Sequence, residues 1–273
     1  MMWLLACMSE PPPEPPPDVL LVVLDTVRAD HLQTYGYARD TSYQLNAIAE
    51  AGVVFEDATV SGAWTWPGHA ELFTGEPPWV TGAHYVDVPG PVPVARMRRD
   101  LPTLAERFDG AGYRTVSVAT NKLLDPDMGL VRGFEAASVE ASDADTVRVA
   151  DAALAVDDER PLLLFVNLAS AHAPYNLVEG VPFSDAHKER VLSGDGEILS
   201  ALRVELDGEV GVDPSQECGG LRCDLQHSAG TLIIDDADMQ VLRDLYDANL
   251  VLVDNALKAL IAAWTSERGG SSW

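Results

Sequence analysis

Apolar and polar residues alternate along the chain in the patterns of strands and helices. The first and last predicted strands are nearly continuous apolar runs, as expected for strands buried on both faces of a sheet. We predict strands at Asp18–Asp25, Val53–Val60, Arg114–Thr120 and Pro161–Leu168. We predict helices at Thr41–Ala51, Pro67–Thr74, Leu101–Ala111, Ala144–Val156 and Asp236–Trp264. This order predicts an α/β fold with a mostly parallel central sheet and helices on both faces.

One segment breaks the alternation. Residues 179–230 are rich in Gly, Asp and Ser and show no clear period. We expect them to form an irregular surface insertion within a single α/β domain that spans residues 18–273.

The composition limits the class of partner. The chain has 43 acidic and 18 basic residues, which gives a formal net charge of -25. Such a charge repels nucleic acid phosphates, so we exclude a general DNA or RNA binder. No run of 18 apolar residues occurs, so we predict no membrane-spanning helix. An anionic substrate must be held by local positive charge.

Residues 1–17 have the pattern of an anchor and a linker. Leu4-Leu5-Ala6-Cys7 resembles a bacterial lipobox, in which the cysteine is lipidated, and Pro11–Pro17 predicts a stiff extended spacer. The apolar stretch is short for an export signal and no basic residue precedes it. Either the protein begins further upstream or Cys7 is an ordinary residue.

Cysteine usage indicates an oxidising compartment. If Cys7 carries lipid, Cys218 and Cys223 remain to form one small disulfide across a Gly-Gly turn. A zinc site is less favoured there, because His227 alone is a poor complement to two thiolates. We therefore predict a bacterial envelope protein, periplasmic or extracellular, attached to a membrane through lipidated Cys7.

Asp25 and Thr65 are the strongest signs of an enzyme. Asp25 ends the first predicted strand, and ligands of open α/β sheets bind outside the carboxyl ends of the strands. Thr65 opens a predicted helix, where free N–H groups and the helix dipole favour an approaching anionic ester. We expect the two residues to face one crevice that holds a metal ion.

The chain resembles the sulfatase family of the alkaline phosphatase superfamily over most of residues 18–264. The matching segments are, in order, DVLLVVLDTVRAD at Asp18–Asp30, the block around Thr65, GYRTVSVATN at Gly112–Asn121, Arg132–Phe134, His172–Tyr175 and Leu245–Asp254. The resemblance implies an alkaline-phosphatase-like fold and a metal-dependent hydrolase that acts on sulfate or phosphate esters of small molecules, glycans or lipids.

The resemblance also implies roles for individual residues. Asp25 and Thr65 correspond to metal ligands, and Thr65 occupies the nucleophile position. His69 supports the nucleophile from the same helix, and His172 contacts the ester oxygens or the leaving group. Asn121 and Lys122 follow a predicted strand and are candidates to orient the ester oxygens.

Each candidate also has a plainer role. Thr65 is a common type of helix N-cap, and His69 can be a hydrogen-bonded histidine of the helix. Asn121 and Lys122 also fit a solvated loop. On the last predicted helix we expect packing or surface roles for Tyr246, Asp247 and Asp254.

The motif around position 65 departs from the family pattern. Sulfatases of this kind have Cys or Ser at position 65, Pro at 67 and Arg at 69, and the first residue becomes formylglycine; this chain has Thr65, Pro67 and His69. Threonine cannot form formylglycine. The chain therefore resembles relatives that pass through a covalent phosphothreonine. Thr26 replaces the second acid after Asp25, which weakens a calcium site with many carboxylates and leaves room for a transition metal with fewer ligands. The choice among calcium, magnesium, manganese and zinc stays open.

The metal ligands expected from the family are incomplete. The family pattern continues beyond the last predicted helix into a strand that supplies an Asp-His pair, and this sequence stops at Trp273. We expect a C-terminally truncated form of a longer protein. The alternatives are an inactive relative that has lost its ligands, and an enzyme that transfers a phosphoryl group to a lipid or glycan hydroxyl.

Overall fold

The computed structural model describes residues 15–86, 94–193, 202–206, 209–213, 217–218, 221–222 and 234–269. The predicted lipidation site Cys7 lies outside these residues. So do Cys223 and His227, on which the predicted disulfide and the alternative zinc site depend.

A four-stranded parallel sheet forms the centre of the molecule. Its strands are β1 (Val19–Leu24), β2 (Arg114–Ala119), β3 (Ala136–Val139) and β4 (Leu162–Leu168), in the spatial order β1-β4-β2-β3. Leu24 lies opposite Leu168, and Ala119 lies opposite Asn167. The carboxyl ends of β1, β2 and β4 therefore meet at one edge of the sheet, where open α/β folds bind ligands.

In the central sheet, one predicted strand is wrong and one observed strand was missed. Residues Val53–Val60 form an irregular loop in which Val53 is 83% exposed and Phe55 74% exposed. They pair with no strand in the described part of the chain, so their apolar character alone does not make them a strand. The sheet instead gains β3, whose sequence AASV is short and only weakly apolar.

Helices cover both faces of the sheet, as the sequence predicts. One face carries α5 (Asp143–Leu154) and the long C-terminal helix α8 (Asp236–Arg268); the other carries α2 (Thr65–Thr74). The remaining helices are α1 (Tyr43–Ala51), α3 (Pro78–Thr81), α4 (Leu104–Gly110), α6 (Pro182–Asp185) and α7 (Lys188–Ser193).

The two faces have separate cores. Leu164 and Val166 of β4 face α5 and α8, and together these elements bury Leu154, Leu250 and Leu257. Phe165, the residue between them on β4, points to the other face and packs against Trp66 and Phe73 of α2. Side chains of successive strand residues point to opposite faces, which explains why β4 is apolar at every position except Asn167.

The segment predicted to be an irregular insertion contains regular elements among its described residues. Besides α6 and α7, it holds β6 (Arg203–Leu206) and β7 (Glu209–Val212), which form an antiparallel sheet with β5 (Tyr175–Asn176). A two-stranded ribbon, β8 (Glu217–Cys218) with β9 (Leu221–Arg222), follows. Val191, Leu202 and Val212 pack this region onto α8.

Several polar residues of α8 are buried. Asp247 is fully buried, and Asp254 accepts hydrogen bonds from the backbone N–H groups of Gln44 and Leu45 at 2.8 and 2.9 Å. Asp254 thereby caps the first turn of α1, which lacks a side-chain cap of its own. Among the helices described here, none combines the length and the apolar character needed to cross a bilayer.

Candidate functional site

Asp25 lies directly after β1 in a tight turn. Its N–H donates to the carbonyl oxygen of Leu168 at 2.8 Å, and its side chain is 8% exposed. Thr26 follows with a φ of 59°, a left-handed conformation that costs a β-branched residue free energy. The hydroxyl of Thr26 donates to the carbonyl oxygen of Asp25 at 2.7 Å. This turn directs the Asp25 carboxylate toward the carboxyl edge of the sheet.

Thr65 is the first residue of α2. Trp64 precedes it as the N-cap residue in an extended conformation and makes no side-chain cap. The Thr65 hydroxyl therefore lies at the positive dipole end of α2, where the N–H groups of the first residues have no partner within the helix. The approach to this turn needs glycine, because a Cβ on Gly62 would lie 2.5 Å from the Cβ of Pro67.

Asn121 joins Asp25 and Thr65. Its side-chain nitrogen donates to the Asp25 carboxylate at 2.6 Å and to the Thr65 hydroxyl oxygen at 3.0 Å. Its side-chain oxygen accepts from the N–H of Leu123 at 3.0 Å, which fixes the orientation of the amide. The hydroxyl and the carboxylate thus contact the same nitrogen atom, as a shared site requires.

Asn167 supports this arrangement and is not among the residues predicted from the sequence. It is fully buried at the end of β4. Its side-chain oxygen accepts from the N–H of Asn121 at 3.2 Å, and its nitrogen lies 3.4 Å from the Asp25 carboxylate. The available signal was a polar residue inside the apolar run LLLFVNL.

His69 lies one turn into α2 and is 5% exposed. Its Nδ1 lies 2.9 Å from the carbonyl oxygen of Thr65, and a carbonyl can only accept, so Nδ1 carries the proton. Nε2 is buried without a hydrogen-bond partner in the described structure. Burial lowers the pKa of His69, while the hydrogen bond to Thr65 and the charge of Asp25 act in the opposite direction. The ring is therefore neutral with a free lone pair on Nε2.

His172 is in the loop after β4. It is exposed, and its Nδ1 donates to the carbonyl oxygen of Ala173 at 2.7 Å, just before a cis peptide bond to Pro174. Its loop is anchored by Asp143, a buried carboxylate that accepts from the N–H groups of Ala169 and Ser170, each at 2.8 Å. His172 has access to both solvent and site.

Two cavities meet at this edge of the sheet. The first, about 620 Å³, is lined by Asp25, Thr65, His69 and His172. The second, about 660 Å³, is lined by Asn121, Lys122 and again His172. The structure thus brings all the predicted site residues to one edge of the sheet, but it places the exposed Lys122 in the second cavity, away from the wall that holds Thr65.

The described residues supply only part of a metal site. Asp25 and Thr65 offer two oxygen donors, and His69 offers the unpaired Nε2. Within the described ranges, no cluster of three or more His, Cys, Asp or Glu side chains can hold a metal ion. A hard cation prefers about six oxygen ligands and zinc about four donors. These side chains alone therefore do not fit a complete metal site.

A parallel sheet with an acid at a strand end and a hydroxyl at a facing helix start defines the class of α/β enzymes that bind ligands at the carboxyl edge. The sequence matches the sulfatase family over residues 17–268, and the chain belongs to this family.

A curated relative shares part of the sequence. The chain is 30% identical to the Delta 4,5-hexuronate-2-O-sulfatase of Bacteroides thetaiotaomicron over 115 residues, which are 40% of this chain and 22% of that protein.

Solved structures share the fold at low sequence identity. The phosphonate monoester hydrolase of Agrobacterium radiobacter is 17% identical with a TM-score of 0.62, over 92% of this chain and 60% of that one. A sulfatase structure from Bacteroides thetaiotaomicron is also 17% identical, with a TM-score of 0.61; the match covers 92% of this chain and 55% of that one. The C-terminal periplasmic domain of EptC from Escherichia coli, in complex with zinc, is 16% identical, with a TM-score of 0.55 over 92% and 60%. The chain thus spans less than two thirds of the length of each of these relatives.

Proposed function

We propose that this chain carries the nucleophile-bearing part of a hydrolase of phosphate or sulfate esters, with Thr65 as the nucleophile. The observation that carries the proposal is the shared contact of Asn121 with the Asp25 carboxylate and the Thr65 hydroxyl. Asn121 holds the hydroxyl oxygen at the start of α2, where helix N–H groups stabilise an anionic ester.

Phosphoryl chemistry is favoured over sulfuryl chemistry. Threonine cannot form formylglycine, so Thr65 must act as a hydroxyl. In the proposed reaction the Thr65 hydroxyl releases its proton to solvent and its oxygen forms a bond to phosphorus, while the bond to the leaving oxygen breaks and that oxygen takes up a proton from His172. Water then releases the phosphoryl group from Thr65. The similarity to a phosphonate monoester hydrolase is consistent with this choice.

The other site residues take supporting roles in the proposal. His172 is exposed at the border of both cavities and donates the proton to the leaving oxygen. Lys122 has no ion-pair partner among the described residues and supplies local positive charge. His69 is neutral and fixes the first turn of α2 through the carbonyl oxygen of Thr65.

A divalent metal ion beside Asp25 is also part of the proposal. When bound, such an ion stabilises the negative charge that develops on the ester. Asp25 and Thr65 would hold it with further donors that lie outside the described residues. We propose that a segment beyond Trp273 supplies them, which agrees with the limited share of the relatives' length that the chain covers.

The test uses the full-length protein with Thr65→Ala and Thr65→Ser. With p-nitrophenyl phosphate as substrate, we expect Thr65→Ala to abolish turnover and Thr65→Ser to retain a measurable rate. Mass spectrometry of the acid-quenched Thr65→Ser and native proteins should find phosphate on residue 65. Turnover by Thr65→Ala, with the fold intact, would exclude the assignment.

A second candidate is a catalytically inactive anion-binding domain of the same fold. The incomplete set of metal donors among the described residues favours it. It predicts no bound metal in the purified protein, which elemental analysis measures. Product analysis in the presence of lipid or glycan alcohols separates hydrolysis from phosphoryl transfer to such acceptors.

We further propose a bacterial envelope location with lipid attachment at Cys7. The similarity to a domain described as periplasmic and the lipobox-like sequence support it. In a bacterial host, palmitate labelling of the native protein but not of Cys7→Ser is the expected result.

A further inference from the structure

The two cavities at the carboxyl edge of the sheet differ in chemistry. Apolar side chains from the loop before α2 and from α2 itself line much of the first cavity, namely Val60, Trp64 and Leu72. Polar side chains from the loops after β2 and β4, together with neighbouring residues, line much of the second, namely Lys122, Ser142, Ser170 and Asn176. His172 borders both, so the cavities are neighbours at a single site.

Thr65 lies where the two cavities meet. Its side chain lines the first cavity, and the partner of its hydroxyl, Asn121, lines the second. An ester bound with its phosphorus next to the Thr65 oxygen therefore has room for a substituent on either side.

From this arrangement we infer that the substrate is a phosphodiester or a related ester with two organic substituents, an apolar one in the first cavity and a polar one in the second. The inference rests on the proposed function, since it assumes that the ester reacts at Thr65. A sulfate or phosphate monoester carries a single organic substituent and would fill one cavity alone. A pocket that fits a substituent contributes binding through the surface that it buries.

The charges at the site favour the same class. Asp25 and Glu71 line the first cavity and Asp143 lines the second, with Lys122 as the one lysine or arginine among the described lining residues of both. A phosphate monoester is close to doubly charged at neutral pH, because its second pKa is about 6. A diester carries a single negative charge, so it meets less repulsion from Glu71 and Asp143; the charge of Asp25 would be offset by the proposed metal ion.

Binding measurements with three probes separate the cavities. The p-nitrophenyl ester of thymidine 5′-phosphate has an apolar and a polar substituent, p-nitrophenyl phosphate lacks the polar one, and thymidine 5′-phosphate lacks the apolar one. Calorimetry on Thr65→Ala avoids turnover of the probes. We expect the diester to bind about tenfold more tightly than either monoester.

A matched pair of variants assigns each substituent to its cavity. Ala63→Trp fills the first cavity and Ala141→Trp the second, and both positions are exposed, so each protein should fold. We expect Ala141→Trp to remove the advantage of the diester over p-nitrophenyl phosphate, and Ala63→Trp to remove its advantage over thymidine 5′-phosphate. Ala152→Trp, on an exposed position of α5 that lines neither cavity, is the control and should leave all three affinities unchanged.

Equal affinities for the three probes, or a loss of p-nitrophenyl phosphate binding equal to that of the diester in Ala141→Trp, would overturn the inference. Turnover by the native protein reports separately on the proposed function. Turnover that prefers monoesters would contradict the inferred diester substrate and still support the proposed function. Selective diester binding without any turnover would contradict the proposed function and still support a site with two cavities.

Discussion

The hydroxyl of Tyr246 donates a hydrogen bond to the carbonyl oxygen of Thr26 at 2.9 Å. The same hydroxyl accepts from the N–H of Arg28 at 2.9 Å. Tyr246 is 7% exposed and belongs to α8, more than two hundred residues away along the chain. Helix α8 therefore holds the turn that carries Asp25 and keeps Thr26 in its left-handed conformation.

Tyr246→Phe should loosen this turn. The substitution keeps the ring and leaves two backbone groups without a partner, so we expect the free energy of unfolding to fall by about 1–3 kcal/mol. Chemical denaturation measures it. Tyr175→Phe is the matched control, because its ring packs on Tyr246 with centroids 5.6 Å apart and its hydroxyl makes no hydrogen bond within the described part of the chain. A similar loss in both variants would contradict the role of the hydroxyl.

Thr26→Gly should partly rescue Tyr246→Phe. Glycine adopts a φ of 59° without the steric cost that threonine has there, so the turn needs less support from Tyr246. We expect the double variant to be more stable than Tyr246→Phe alone. If Thr26→Gly lowers the stability of both backgrounds equally, the two residues are not coupled.

Asn121→Asp should destabilise the protein at neutral pH and less so in acid. The new carboxylate would replace the nitrogen that now lies 2.6 Å from the Asp25 carboxylate, and two like charges at this distance raise the pKa of the pair. Protonation of one carboxyl in acid relieves the repulsion. We expect the free energy of unfolding to fall by about 2 kcal/mol at pH 7. Chemical denaturation at pH 7 and at a series of lower pH values measures the loss and its decrease in acid.

Asn46→Asp provides the control for Asn121→Asp. It makes the same chemical change beside Glu50, in an exposed ion-dipole contact on α1. Because solvent screens exposed charges, we expect the free energy of unfolding to change by at most a few tenths of a kcal/mol. A comparable loss at both positions would show that the buried contact with Asp25 is unimportant.

His69 should be neutral at pH 7 with its proton on Nδ1. The lowered pKa follows from burial, and the proton position follows from the hydrogen bond to the carbonyl oxygen of Thr65. Long-range ¹H–¹⁵N NMR spectra distinguish the two tautomers directly. A protonated Nε2 or a charged ring at this pH would refute the assignment. His172, which is exposed, serves as the internal reference.

Stability should fall in strong alkali through Tyr37 and Tyr246. Burial first, and then the hydrogen bond to Asp247, raise the pKa of Tyr37 to about 12; burial raises the pKa of Tyr246 to about 12. Both phenols keep their protons in the folded state after the unfolded chain has lost them, so stability is complete below pH 10 and declines as the pH rises toward 12. Ultraviolet titration of the phenols measures the pKa values, and Tyr37→Phe should reduce the decline.

Much of the fold is visible in the sequence because its pattern is local. The strands β1 and β4 are continuous apolar runs, and four of the five predicted helices match the observed helices within three residues at each end. The fifth, α8, continues to Arg268. The strand predicted at residues 53–60 is wrong because apolar content does not show whether a partner strand is available for hydrogen bonding. The strand β3 was missed for the opposite reason, since AASV is held by pairing with β2.

Only the site residues that lie at a strand end or a helix start could be predicted from the sequence. Asp25, Thr65 and Asn121 follow from the rule that parallel strands deliver residues to one edge. Asn167, Asp143 and Tyr246 act through contacts that no local pattern encodes. For Asn167 the one clue was a polar residue within the apolar run LLLFVNL. The sequence predicts a packing or surface role for Tyr246, and the structure gives its hydroxyl two backbone partners.

Asp143 has a consequence for how the second cavity responds to its contents. Besides the N–H groups of Ala169 and Ser170, it accepts from the hydroxyl of Thr120 at 2.7 Å. One carboxylate thus ties the loop after β2 to the loop after β4. Asn121 and His172 lie on these two loops, so a ligand that displaces one loop also shifts the other. A bulky polar substituent in the second cavity would therefore shift both Asn121, which contacts the proposed nucleophile Thr65, and the proposed proton donor His172.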